Sequence, residues 1–156
     1  NYQQALDGTG EQAGLLAIAR DYGGTDAGNL ATFYAANALY QQGEYDRALT
    51  YFQQFEKGNT FIGASAYAAQ AAIQENQGNF ERAGELYEQA AAQYENKLTA
   101  PRYLLSAGQA YEEAGRYEAA MGAYQRIQDE YPESSQASDA ERYMARAEVR
   151  RDATSS

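Results

Sequence analysis

Gly43-Glu44-Tyr45-Asp46-Arg47-Ala48, Gly78-Asn79-Phe80-Glu81-Arg82-Ala83 and Gly115-Arg116-Tyr117-Glu118-Ala119-Ala120 are three versions of one stretch. Their glycines stand 35 and 37 residues apart. An aromatic residue follows each glycine by two positions and alanine follows by five. A second aromatic, Phe52, Tyr87 or Tyr124, follows by nine. A period of this size belongs to stacked supersecondary units rather than to one folded-over core. Stacked units build extended binding surfaces more often than active sites.

Outward from these stretches the chain reads as helix. Ala, Gln, Glu and Leu dominate, Val occurs once and Pro twice, a composition with strong helix propensity and little strand signal. Apolar residues recur at helical spacing, as in Leu30, Phe33, Tyr34, Ala38 and Leu39, and again in Tyr103, Leu104, Ala107, Ala110 and Tyr111. The pattern predicts helices over 10–21, 28–42, 45–57, 61–77, 80–96, 100–114, 117–131 and 135–150. Gly43, Gly78 and Gly115 sit where a left-handed residue ends a helix. Thr99 before Ala100-Pro101 reads as a hydroxyl cap with Pro in the first turn, and Ser134 or Ser135 reads as the cap of the last helix. Ile18-Ala19-Arg20-Asp21-Tyr22 parallels Ile127-Gln128-Asp129-Glu130-Tyr131. The first helix is therefore expected to be the second half of an incomplete repeat, and the last a first half without a partner. Arg142, Arg146, Arg150 and Arg151 are expected to form the water-facing side of that last helix.

Composition narrows the function. The chain has 156 residues, 12 basic against 22 acidic, net charge −10. Phosphate binding needs clustered Lys and Arg, so nucleic acid is not an expected partner, and an anionic membrane surface is disfavoured for the same reason. There is no Cys and no His. Thiolate chemistry is impossible, and the commonest general base and transition-metal ligand is missing. No Asp-rich loop has calcium-binding spacing, so neither a metal nor a cofactor is expected. No apolar run approaches the roughly 18 residues of a membrane span. The sequence opens Asn1-Tyr2-Gln3-Gln4-Ala5-Leu6, which reads as the tail of a helix without an initiator Met. It therefore reads as part of a longer chain, and any membrane association would come through a segment preceding Asn1.

The recurring Gly-x-Tyr/Phe-x-x-Ala with its later aromatic resembles the tetratricopeptide repeat family, over roughly residues 9–150. The third repeat fits best, with Leu104, Gly108, Tyr111, Gly115, Tyr117, Ala120, Tyr124 and Pro132 all in the expected places. The resemblance implies an all-α fold: a solenoid of three helical hairpins with an extra helix at each end, wound as a right-handed superhelix. It implies one domain over 1–156, with an incomplete repeat at 1–28, repeats at 29–63, 64–100 and 101–134, and a capping helix and tail at 135–156. Ile18-Ala19-Arg20-Asp21-Tyr22-Gly23-Gly24-Thr25-Asp26-Ala27 and Tyr131-Pro132-Glu133-Ser134-Ser135 resemble joints of bacterial cell-envelope repeat proteins. That similarity implies a periplasmic or envelope-associated scaffold, with a cytoplasmic location as the alternative.

In this family the first helix of each pair lines the concave face. The positions this carries over are Leu30, Phe33, Asn37, Tyr40 and Gln41 in the first repeat, Glu75 and Asn76 in the second, and Arg102, Leu105, Gln109, Glu112 and Glu113 in the third. The expected groove is aromatic at its start and acidic at its end, suited to a protein or peptide carrying apolar and basic side chains. The expected function is non-catalytic protein binding. A self-associating structural module is the alternative. A carboxylate-based enzyme or sugar-binding solenoid is a third reading, and it would need Glu75 to approach Glu112 across repeats.

Overall fold

The computed structural model describes residues 10–155, and within them the protein is helical throughout, with no strand. The helices are Gly10–Asp21 (α1), Asp26–Gln41 (α2), Tyr45–Gln54 (α3), Phe61–Asn76 (α4), Phe80–Gln93 (α5), Ala100–Glu113 (α6), Tyr117–Glu130 (α7) and Ala137–Thr154 (α8). The segment Asn1–Leu6, read above as a helix tail, lies outside the described residues. The chain divides after Lys57 into two compact units. The first holds α1–α3 and the second α4–α8, and inside each unit every helix packs on its successor in sequence. That order of packing is the mark of the α-solenoid class.

The three signature glycines close the hairpins α2–α3, α4–α5 and α6–α7. Their φ angles are 77°, 78° and 71°, in the left-handed region where a side chain would be strained. The amide one residue after each glycine bonds back to Leu39, Gln74 or Tyr111 carbonyl oxygen at 2.8–2.9 Å, the closing bond of a Schellman turn. Ala48, Ala83 and Ala120 have no exposed surface, because helices cross there too closely for a larger group. The aromatics nine residues after the glycines, Phe52, Tyr87 and Tyr124, are buried between their helices. Each such burial stabilises the fold by roughly 1.5–3 kcal/mol.

Helix ends depart from the sequence expectation for identifiable reasons. Thr25 and Thr60 cap α2 and α4, their hydroxyls accepting from the Gly28 and Gly63 amides at 3.1 and 3.0 Å. The expected Thr99 cap is not formed. The Asn96 carboxamide oxygen accepts from the Leu98 and Thr99 amides at 2.9 and 2.8 Å, and the Thr99 hydroxyl accepts from Asn96 Nδ2. Asn96 thus organises the turn itself, so α5 stops at Gln93. Neither Ser134 nor Ser135 caps α8, whose N-cap is Gln136. Successive turn bonds from Ser134 N to Tyr131 O and from Ala137 N to Ser134 O delay that helix to Ala137. α3 ends early, at Gln54, because the Asn29 carboxamide clasps the Glu56 backbone on both sides, donating to its oxygen at 2.9 Å and accepting from its amide at 2.8 Å.

Candidate functional site

The sequence-selected positions do not share one environment. In the first unit Leu30 and Gln41 are exposed. Phe33 is half-buried, its ring centroid 5.3 Å from Phe55 and 6.0 Å from Phe52. It therefore belongs in large part to the hairpin core. Tyr40 is half-buried against Tyr45, with centroids 5.5 Å apart, and Asn37 donates back to the Phe33 carbonyl at 2.9 Å. Tyr34, one turn beyond Leu30, is 50% exposed. The accessible apolar surface of α2 is thus Leu30 with Tyr34, rather than Phe33 with Tyr40.

In the second unit Asn76, Arg102, Gln109 and Glu113 are exposed and Leu105 is half-buried against the core. Glu113 also borders an open recess of about 690 Å³, which Glu81, Arg82 and Glu85 line from α5. Glu112 is the clear departure. Only 3% of it is accessible, so it is not a groove acid. Arg146 grips it bidentately at 3.0 and 2.7 Å, and Arg150 adds a contact at 3.2 Å. The Tyr124 hydroxyl donates to the same carboxylate at 2.8 Å. A buried carboxylate is tolerable only when its lone pairs are filled in this way. Two of the arginines expected to face water from α8 are therefore turned toward α6. Arg146 also lies over the Tyr143 ring, 4.3 Å from its centroid.

The same construction occurs twice, and its hydroxyl–carboxylate half a third time. A small residue and a glutamate one helical turn later receive a tyrosine, whose ring lies over the small residue and whose hydroxyl reaches the carboxylate. Gly108 and Glu112 receive Tyr124, and Gly84 and Glu88 receive Tyr111, with a hydroxyl contact of 2.8 Å in each. Ala71 and Glu75 stand in the corresponding places for Tyr87, whose hydroxyl donates to Glu75 at 2.9 Å. Burial raises the Tyr111 and Tyr124 pKa values well above the ordinary phenol value, and the hydrogen bonds to Glu88 and Glu112 raise them further. A carboxylate next to a phenol resists formation of a second negative charge.

Sequence reasoning missed these pairs, although a signal was available. Repeats with Glu three before the turn glycine have Tyr nine after it, as in Glu75 with Tyr87 and Glu112 with Tyr124. The repeat with Tyr40 in the first place has Phe52 in the second. A hydroxyl appears where there is a carboxylate to meet.

The carboxylate-pair reading required Glu75 and Glu112 to share one site. Glu112 is buried and occupied by Tyr124 and two guanidiniums, so it offers no accessible carboxylate to such a pair, while Glu75 accepts from Tyr87. Among the described residues no group of three or more Asp or Glu side chains is placed to hold a metal ion. No helix among them is long and apolar enough to cross a membrane.

Comparison with known families agrees with the hairpin geometry. The tetratricopeptide repeat family matches twice, over residues 13–69 and 68–135. The chain belongs to the tetratricopeptide repeat family. Tetratricopeptide repeats are interaction modules, and the two matched stretches contain every turn glycine and every small crossing residue described above. No curated protein matches the chain.

Proposed function

We propose that this tetratricopeptide array is a non-catalytic scaffold that holds a peptide or protein along the first helices of its hairpins. The observation that supports this reading is the accessibility of those helices at the positions the family uses. Leu30 and Gln41 in the first unit, and Asn76, Arg102, Gln109 and Glu113 in the second, are all exposed. Leu30 with Tyr34 offers apolar contact, and the second unit offers charge and amide groups. The partner is a segment with apolar and basic side chains, in keeping with a net charge of −10.

The test compares capture of a partner by the wild-type chain with capture by Leu30→Ser and Glu113→Ala. Both residues are exposed, so helicity by circular dichroism should not change. Phe33→Ala is a poor probe because it empties part of the hairpin core. A partner retained by the wild type and lost by either variant supports groove binding. Equal retention by all three chains refutes it.

The joint at Ile18–Ala27 supports placing this scaffold in a bacterial cell envelope, by its likeness to envelope repeat proteins. Its Thr25 hydroxyl donates to the Tyr22 carbonyl at 2.7 Å and accepts from the Gly28 amide at 3.1 Å. Fractionation of cells expressing the full-length gene product is the test. Recovery in the cytoplasm alone would refute the placement.

A further inference from the structure

We infer that Glu75, held by Tyr87, is an open receptor for an arginine side chain on a helical segment of the binding partner. The inference rests on the scaffold reading above and names the chemistry of one contact within it.

Three tyrosine-bound glutamates occur in the second unit, and two of them carry guanidinium from a neighbouring helix. Glu112 holds Arg146 and Arg150 at 2.7 and 3.2 Å. Glu88 has Arg126 of α7 at 3.9 Å. Glu75 has the tyrosine alone: its Oε2 accepts from Tyr87, and no Lys or Arg of the described residues forms an ion pair with it. The helix after the α4–α5 hairpin is α6, which has one basic residue, Arg102, in its first turn. The helix after the α6–α7 hairpin is α8, which supplies Arg146 and Arg150 four residues apart on one face. The molecule therefore contains its own example of what a tyrosine-anchored glutamate accepts, and one copy of that acceptor is left without it.

Glu75 is suited to the task. It is half-buried, so an ion pair there is less screened than at a fully exposed site. Tyr87 fixes the carboxylate rotamer and fills one lone pair, which reduces the ordering cost of binding. The remaining lone pairs match the planar two-pronged guanidinium better than the point charge of an ammonium. Its chain neighbour Asn76 is polar and exposed and is no competing cation.

The experiment uses the intact chain and a fluorescent synthetic peptide with the sequence of α8, Ala137–Thr154, whose four arginines include Arg146 and Arg150 in the spacing that Glu112 accepts. Binding is read by anisotropy. Glu75→Gln should weaken it by roughly tenfold, Tyr87→Phe by less, and replacing Arg146 and Arg150 of the peptide by lysine by about fivefold. Added salt should weaken the wild-type complex more than the Glu75→Gln complex. Equal affinity for wild type and Glu75→Gln overturns the inference, as does absence of binding. So does binding abolished by Glu112→Gln but not by Glu75→Gln, which would mean the peptide replaces α8. If Leu30→Ser or Glu113→Ala weakens binding while Glu75→Gln does not, the groove reading stands and this contact alone falls.

Discussion

Tyr124 donates its hydroxyl to Glu112 at 2.8 Å across the α6–α7 hairpin, and the carboxylate so positioned is what Arg146 and Arg150 grasp. The last helix is thus docked by a polar clasp as much as by apolar burial. Its fully buried residues are only alanines, Ala140 and Ala147.

Glu112→Gln should therefore loosen α8 selectively. The arginine side chains are 42% and 46% exposed, so water can recover part of their lost pairing, and the expected cost is about 1–2 kcal/mol rather than the larger penalty of a fully buried pair. Urea denaturation should report the lower midpoint. Amide exchange should rise through residues 140–152 before it rises in α4–α7. Uniform acceleration through all five helices of the second unit would contradict the clasp.

Glycine substitutions should separate close packing from mere tolerance. A Cβ on Gly84 would lie 2.6 Å from the Tyr111 ring, and one on Gly108 would collide with the Tyr124 ring. Gly84→Ala and Gly108→Ala should each cost about 1–3 kcal/mol by overpacking, despite the better helix propensity of alanine. Gly122 has nothing within 4 Å of its would-be Cβ, so Gly122→Ala should stabilise by about 0.5–1 kcal/mol. Thermal melts of the three variants decide the matter by sign.

Alkaline pH should weaken the fold through Tyr111 and Tyr124. Burial, aided by Glu88 and Glu112, raises both phenol pKa values in the folded chain. The unfolded chain loses these protons near the ordinary value of about 10. The stabilisation is therefore complete below about pH 10 and is lost as pH rises from there through the folded values, by up to about 1.4 kcal/mol per pH unit for each tyrosine. Urea midpoints should fall above that pH, and the fall should be shallower in a Tyr111→Phe/Tyr124→Phe variant. Phenolate absorbance of the folded protein should also develop in two stages. A single stage complete near pH 10 would refute the assignment.

Asn96→Ala should cost more than an ordinary exposed substitution. It removes the acceptor for the Leu98 and Thr99 amides and the donor to the Thr99 hydroxyl. The expected loss is about 1–2 kcal/mol, comparable to deleting a helix cap. Thr60→Ala, which removes the hydroxyl bonded to Gly63, provides the reference at about 1 kcal/mol.

Much of the architecture was legible in the residues. Turn glycines demand a left-handed backbone and crossing alanines demand small size, so local chemistry alone locates the hairpins at Gly43, Gly78 and Gly115. Helix ends were less legible because caps compete. Thr99 has the right side chain in the right place, yet Asn96, three residues earlier, takes the amides first. Site residues were the least legible. Glu112 and Glu113 are neighbours of one type; the register with Tyr124 marks Glu112, but the approach of Arg146 and Arg150, 34 and 38 residues away, that buries it as an anchor has no local signal. Phe33 likewise has groove spacing, but its contacts with Phe52 and Phe55 depend on how α3 leaves its helix.

The guanidinium grip on Glu112 also governs how such an array can grow. A hairpin duplicated between α7 and α8 would separate the carboxylate from its cations, leaving an anion stranded in apolar surroundings unless the newcomer brought arginines of its own. Duplication just after α5 costs Glu75 no cation; it parts Glu88 from Tyr111 and Arg126, but the Glu88 side chain is 36% exposed and water can take their place. Lengthening by gene duplication is therefore expected to be tolerated better after α5 than between α7 and α8.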